Sequence, residues 1–136
     1  MNRVILVVTV MFLSNFCIGQ KLHKGNLVGV HVINITLNPD VTMEQFKSFY
    51  ISEAIPAFEK HFHAKGYFLE GIRGQNKDSI AVIWLFESVK HRDMYFNEDG
   101  SFNELGKSTI EKLDSITKKM EKYGSYSTNY TDWIIQ

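Results

Sequence analysis

Apolar positions along the chain switch between two spacings. Leu27 to Leu37 is rich in Val and Ile, with Val28, Val30 and Val32 on one side and Leu27, Ile33, Ile35 and Leu37 on the other. That β-branched run predicts a first strand. A turn at Asn38-Pro39-Asp40 follows, and Thr42 with Gln45 has the spacing of a capping box. From there Phe46, Phe49, Tyr50, Ala54, Ala57, Phe58 and Phe62 recur at three- and four-residue steps, a helical stripe ending near His63 to Gly66. Pro56 lies inside it and cannot donate to the Ser52 carbonyl, so a kink is expected.

Tyr67 to Arg73 and Ile80 to Phe86 read as two further strands joined by the polar loop Gly74 to Ser79, a hairpin. Ser88 suits the cap of a short helical turn reaching Phe96, which Asn97 to Gly100 breaks. Ser101 and Glu104 form a second box pattern, opening a helix buried through Ile110, Leu113, Ile116, Met120 and Tyr123. Tyr126 to Ile135 is the last strand. The order β-α-β-β-α-β is the split pattern of an α+β, ferredoxin-like domain: a four-stranded antiparallel sheet with two helices on one face.

Two helices shelter one face of such a sheet, yet both faces are apolar here. Ile80, Val82, Trp84 and Phe86 oppose Ala81, Ile83 and Leu85 on one strand. Leaving such side chains in water forfeits about 1.5–3 kcal/mol each. A second copy of the sheet is the expected cover, giving a homodimer, with a small apolar ligand held between the sheets.

Upstream of the domain, Arg3, the apolar run Val4 to Leu13 and the small residues Cys17 and Gly19 read as an export signal over residues 1–19, cut before Gln20. The run is shorter than the about 20 residues that span a bilayer. Residues 20–26 read as a flexible lead-in and 27–136 as the domain. The processed protein is therefore expected outside the cytoplasm, periplasmic or extracellular, with no membrane attachment. Phe16 before the single cysteine, Cys17, argues against lipidation there. Without that cysteine the processed chain has no thiol for a disulfide, a metal or a nucleophile.

Fifteen Lys and Arg balance fifteen Asp and Glu, and no basic stripe or nucleic-acid motif is present, which removes that class of partner. His61 and His63 are two apart, where helical metal pairs need four, so no metal is expected. The Asn97 to Gly100 turn lacks the first and last ligands of a calcium loop. Asn34 and Asn129 begin glycosylation-type triplets, both inside expected strands. His31 is the candidate acid/base group, since its ordinary pKa lies near neutrality. Asn34, Tyr50, Arg73, Trp84, Phe86 and Trp133 are the candidate ligand-pocket residues, Arg73 as an anchor for an anion. Tyr130 and Asp132 are further polar handles on the last strand.

The element order, the helix stretch Glu53 to Phe58 and the strand ending Trp84 to Ser88 resemble the dimeric α/β-barrel superfamily. That group includes antibiotic-biosynthesis-monooxygenase-like, stress-responsive A/B-barrel and heme-degrading proteins. The resemblance implies two sheets facing each other across a barrel. Of the heme-degrading members' asparagine, tryptophan and histidine, the first position falls on Asn34 and the second on Phe86. The third has no counterpart, because His91 stands too early, so no cofactor is implied. A cofactor-independent, monooxygenase-like enzyme acting on an aromatic substrate through His31 is the catalytic alternative. A structural or interaction module is the other.

Overall fold

The computed structural model describes residues 22–136. The expected leader at 1–19, with Cys17, and positions 20 and 21 of the lead-in lie outside the described residues. The remainder of that lead-in is bonded to the sheet rather than hanging free. Gly25 N–H donates to the Ile135 carbonyl at 2.8 Å, and Ile135 N–H donates to the Asn26 carbonyl at 2.9 Å. Asn26 is buried, its amide donating to the Glu87 carbonyl at 2.9 Å.

The elements run β1 (Leu27–Leu37), α1 (Met43–Phe49), a π turn (Tyr50–Ala54), α2 (Ile55–Phe62), β2 (Lys65–Glu70), β3 (Ile80–Phe86), α3 (Val89–Asp93), α4 (Glu104–Glu111), α5 (Asp114–Glu121) and β4 (Gly124–Ile134). The sheet order is β2-β3-β1-β4, antiparallel throughout. This is the ferredoxin-like α+β fold expected from the strand and helix order.

Side-chain parity decides where the core lies. Ile33 on β1, Ile80 and Val82 on β3, and Phe46, Phe49, Tyr50, Ala54 and Ile55 above them form one buried cluster. Leu27, Phe62, Ala64, Phe86, Tyr95 and Leu113 form a second. Successive strand residues point to opposite faces, so Val28, Val30, Val32, Ala81, Ile83 and Leu85 share the face away from the helices. Leu85 apart, that face is half-buried or open, with Tyr67, Leu69 and Trp133 exposed on it.

Four local expectations change. The kink at Pro56 is a π turn: the Ile55 N–H donates to the Tyr50 carbonyl, five residues back, and α2 restarts with Pro56 in its first turn. The widened turn resolves the missing donor before the proline is reached. β2 starts at Lys65 and ends at Glu70, not Arg73, because the chain folds back at once. Gly71 N–H donates to the Ser79 carbonyl at 2.8 Å, and Asp78 N–H donates to the Gly71 carbonyl at 2.7 Å. Asn103, not Ser101, caps α4, accepting from the Gly106 N–H at 3.0 Å. Ser101 is held instead by the Asp99 carboxylate at 2.6 Å. The last helix is two: around Leu113 the bonds tighten to three-residue steps, and that buried side chain marks the break between α4 and α5.

Candidate ligand cavity between the sheet and the helices

The middle of β1 puts Gly29 and His31, rather than two apolar side chains, toward the helices. Opposite them stand Trp84 and Val82 on β3, and Asp132 and Tyr130 on β4. Glycine inside a strand weakens it and marks a place where something approaches the backbone. A β-carbon at Gly29 would lie 2.9 Å from Asp132 Oδ1 and 3.3 Å from His31 Nε2. The missing side chain thus lets the Asp132 carboxylate and the His31 imidazole close in over the strand backbone.

The roof comes from the segment after β3. Ser88 caps α3 by accepting from the His91 N–H at 3.1 Å, and this short helix carries Arg92. Beyond it Phe96 and Phe102 pair as an isolated bridge, closing a loop whose Gly100 takes φ +82° and lies against the Tyr130 hydroxyl. Arg92 ties roof to floor. Its Nη1 donates to the Asn97 carbonyl at 2.6 Å, and its Nε stands 3.1 Å from Asp132 Oδ2. The guanidinium also lies over the Phe96 ring, 5.1 Å from the centroid.

Two compartments result, sharing His31, Phe96 and Phe102. One, about 320 Å³, is lined by His31, Phe86, Arg92, Phe96, Gly100, Phe102, Thr128, Tyr130 and Asp132. The other, about 160 Å³, is walled by rings alone: His31, Tyr50, Phe58, Phe62, Trp84, Phe96, Phe102 and Tyr126. An outer groove of about 820 Å³ shares Arg92, Phe96, Tyr130 and Asp132 with the first and adds Val89, Asp93, Glu98 and Trp133.

Burial lowers the His31 pKa from its usual value; the nearby Asp132 carboxylate opposes this and the Arg92 charge reinforces it. At neutral pH His31 is therefore an uncharged imidazole with a lone pair to offer. Tyr50, placed by the π turn, is driven upward by burial and then by Tyr126, so its phenol stays protonated. Tyr126 shifts the same way, by burial and then by Glu121. His91 has its Nδ1 buried without a hydrogen-bond partner among the described residues, its ring edge-on to Phe86 at 5.4 Å.

The structure brings together His31, Tyr50, Trp84 and Phe86 of the expected residues, with the polar handles Tyr130 and Asp132. It does not bring in the others. Asn34 and Trp133 point to the open face because their strand parity is opposite to that of His31, and both are exposed. Trp133 reaches only the rim of the outer groove, and Arg73 stands exposed in the β2–β3 loop. Within this chain the cavity lies between sheet and helices, on the opposite side of the sheet from the expected inter-sheet pocket. Arg92, Thr128, Phe96 and Phe102 belong to it and were not singled out by sequence. A lone arginine on a five-residue helix leaves no pattern, whereas the aromatic pair flanking Asn97 to Gly100 is visible once the turn is known to fold back.

Among the described residues no helix is long and apolar enough to cross a membrane, and no three metal-ligating side chains are gathered. No family model and no curated protein matches the chain. Among solved structures it is similar to a dimeric protein of unknown function and ferredoxin-like fold from Bacteroides fragilis. The identity is 15%, covering 84% of this chain and 100% of that one, with a TM-score of 0.44.

Proposed function

We propose that this chain binds a small aromatic molecule in the cavity between its sheet and its helices. The observation that carries this reading is the compartment walled only by rings and joined to a polar one at His31. Ligand sites are mostly apolar hollows with a few placed polar groups, and stacked or edge-on aromatic contacts give such a ligand both area and orientation. Native mass spectrometry of the purified protein, followed by titration with a panel of mono- and bicyclic aromatics, tests it. Retention or micromolar binding is expected, and loss of binding in Trp84→Ala. Failure of every aromatic to bind rejects it.

The protein is further proposed to act as an exported homodimer related to the dimeric α/β barrels. The leader pattern at residues 1–19 supports export, and the apolar sheet face of Val28, Val30, Val32, Ile83, Tyr67 and Leu69 supports pairing with a second copy. A fusion of residues 1–21 to a reporter active only outside the cytoplasm tests the first point.

A catalytic reading is favoured by one observation, the uncharged His31 facing both compartments. A neutral imidazole can take a proton from a phenol-type substrate, leaving a carbanion-like ring that adds dioxygen at carbon. The peroxide takes the proton back and loses water to give a quinone, the substrate itself supplying the electrons. Oxygen uptake with phenolic substrates, abolished by His31→Ala, is the expected result. No uptake by the unaltered protein with any of them removes the catalytic reading and leaves binding.

A further inference from the structure

We propose that the cavity selects an aromatic ligand whose polar head is uncharged and offers a hydrogen-bond donor beside an acceptor, as a primary carboxamide does. This rests on the aromatic-binding reading and specifies the chemistry of the head.

The head would meet the Arg92–Asp132 pair. Arg92 is almost wholly buried, with 8% of its side chain exposed, and Asp132 is 26% exposed. Nε and Nη1 of the arginine are engaged by Asp132 Oδ2 and the Asn97 carbonyl. Nη2 of Arg92 and Oδ1 of Asp132 have no hydrogen-bond partner among the described residues. Asp132 Oδ1 and His31 Nε2 both approach the same face of Gly29, 2.9 Å and 3.3 Å from where a β-carbon would stand. Arg92 Nη1 also stands 3.5 Å from Asp93 Oδ1, but that carboxylate is 52% exposed and does not line this compartment. Within its walls the polar compartment thus presents one acceptor and one donor from a single ion pair, beside an imidazole that is itself uncharged.

A carboxylate head placed here gains Arg92 and is pushed by Asp132. An ammonium head gains Asp132 and is pushed by Arg92. Either one disturbs a pair that is balanced in a desolvated place, where an unmatched charge is costly. A carboxamide disturbs nothing: its N–H donates to Asp132 Oδ1, and its carbonyl accepts from the guanidinium. The outer groove adds to the discrimination against anions, since Asp93 and Glu98 line it together with the pair. The ring of the same ligand then lies in the compartment of Trp84 and Tyr50.

The test uses three probes of one shape: 2-naphthamide, 2-naphthoate and 2-naphthylmethylammonium, titrated calorimetrically into the purified protein at neutral pH. The amide is expected to bind at least about tenfold more tightly than either ion. In Asp132→Asn the arginine keeps only the half-exposed Asp93 as counter-charge, and the ratio is expected to move toward the naphthoate by about tenfold or more. Binding of either ion as tight as the amide overturns the inference while leaving the aromatic-binding reading intact. A folded Asp132→Asn protein with an unchanged ratio does the same. Should that variant fail to fold, the order of the three probes on the unaltered protein decides alone. If none of the three binds while another aromatic of the panel does, the inference alone falls; if no aromatic binds, the reading it rests on falls with it.

Discussion

The His31 imidazole lies stacked on the Tyr130 ring, with 5.3 Å between centroids and 19° between planes. The two are direct cross-strand partners on β1 and β4, so the stack spans the cavity floor and sets the plane of the one group there that titrates near neutrality. Tyr130 is fixed in turn by Gly100, whose Cα leaves room for the hydroxyl where any side chain would collide with it. The orientation of the imidazole is therefore set by the roof loop as well as by the sheet.

His31 should titrate below the usual histidine range near 6.5, because burial outweighs the attraction of Asp132. The unfolded chain then holds the proton more tightly than the folded one. Stability should rise with pH through the window between the folded and unfolded values, and this contribution should be lost as pH falls below about 6.5. Imidazole proton chemical shifts across a pH series measure the value directly. Denaturant melts at several pH values should show a shallower acid slope in His31→Gln. A His31 that titrates above 6.5 refutes the burial account.

Gly29→Ala should crowd the Asp132 carboxylate and the His31 ring that close over this residue. The added methyl would lie 2.9 Å from Asp132 Oδ1, and that carboxylate cannot swing away freely while Arg92 holds it. A loss of about 1–3 kcal/mol is expected, typical of overpacking, together with loss of aromatic binding. Urea denaturation and ligand titration on the same sample separate the two effects. Unchanged stability with unchanged binding would mean that the placement of Asp132 and His31 over Gly29 does not matter to the ligand.

Most of the fold was legible because the strands carry a β-rich composition bounded by turn residues, as in Leu27 to Leu37 and Ile80 to Phe86, whose observed limits match the expected ones. The first cap was legible too, since Thr42 and Gln45 satisfy each other locally. The second was not. Ser101 fits the box pattern, but an aspartate two residues earlier competes for its hydroxyl and N–H, and Asn103 takes over. The π turn hides for a related reason: a missing donor at Pro56 forces some distortion, and sequence does not say which. Within the site, His31 and Tyr50 were legible as polar groups on apolar faces. Asn34 and Trp133 were assigned to the same pocket by residue type, which ignores that each sits one residue out of phase with His31 on the paired strands. Arg92 was invisible because its importance comes from a partner on β4, forty residues away, and from an isolated turn of helix.

Removing Arg92 tests how far that pair holds the roof down. Arg92→Met keeps much of the apolar stem but leaves Asp132 without a counter-charge and the Asn97 carbonyl without its donor. The loss is expected at about 2–3 kcal/mol, below the usual figure for a fully buried pair because Asp132 is about a quarter exposed. Pairing the change with Asp132→Leu should recover part of that loss. A double variant less stable than the single one by chemical denaturation would contradict a cost that arises from the orphaned carboxylate.

The two candidate caps of α4 can be told apart by single substitutions. Asn103→Ala removes the acceptor for Gly106 N–H and two amide bonds to the Asp93 and Met94 carbonyls. It should cost about 1–2 kcal/mol, at the upper end for a cap. Ser101→Ala loses bonds within an exposed loop and should cost a few tenths of a kcal/mol. Equal melting temperatures for the two variants would place the start of the helix elsewhere.

The last test concerns the face that the helices leave bare. Ile83 lies at its centre, paired with Val30 on one side and Tyr67 on the other, and Tyr67, Leu69 and Trp133 around it are 42%, 39% and 60% exposed. A lysine there is tolerable on a wetted sheet, where its stem can lie along the surface and its charge reach water. Between two packed sheets it is not, because the charge would be buried in both copies at once across a two-fold interface. Ile83→Lys should therefore leave the circular-dichroism spectrum and aromatic binding intact while weakening self-association by about a hundredfold or more. Light scattering behind a sizing column reads this as a shift from dimer to monomer at micromolar concentration. A wild-type protein already monomeric there would leave that apolar face to some other cover, and the pairing of sheets would have to be given up.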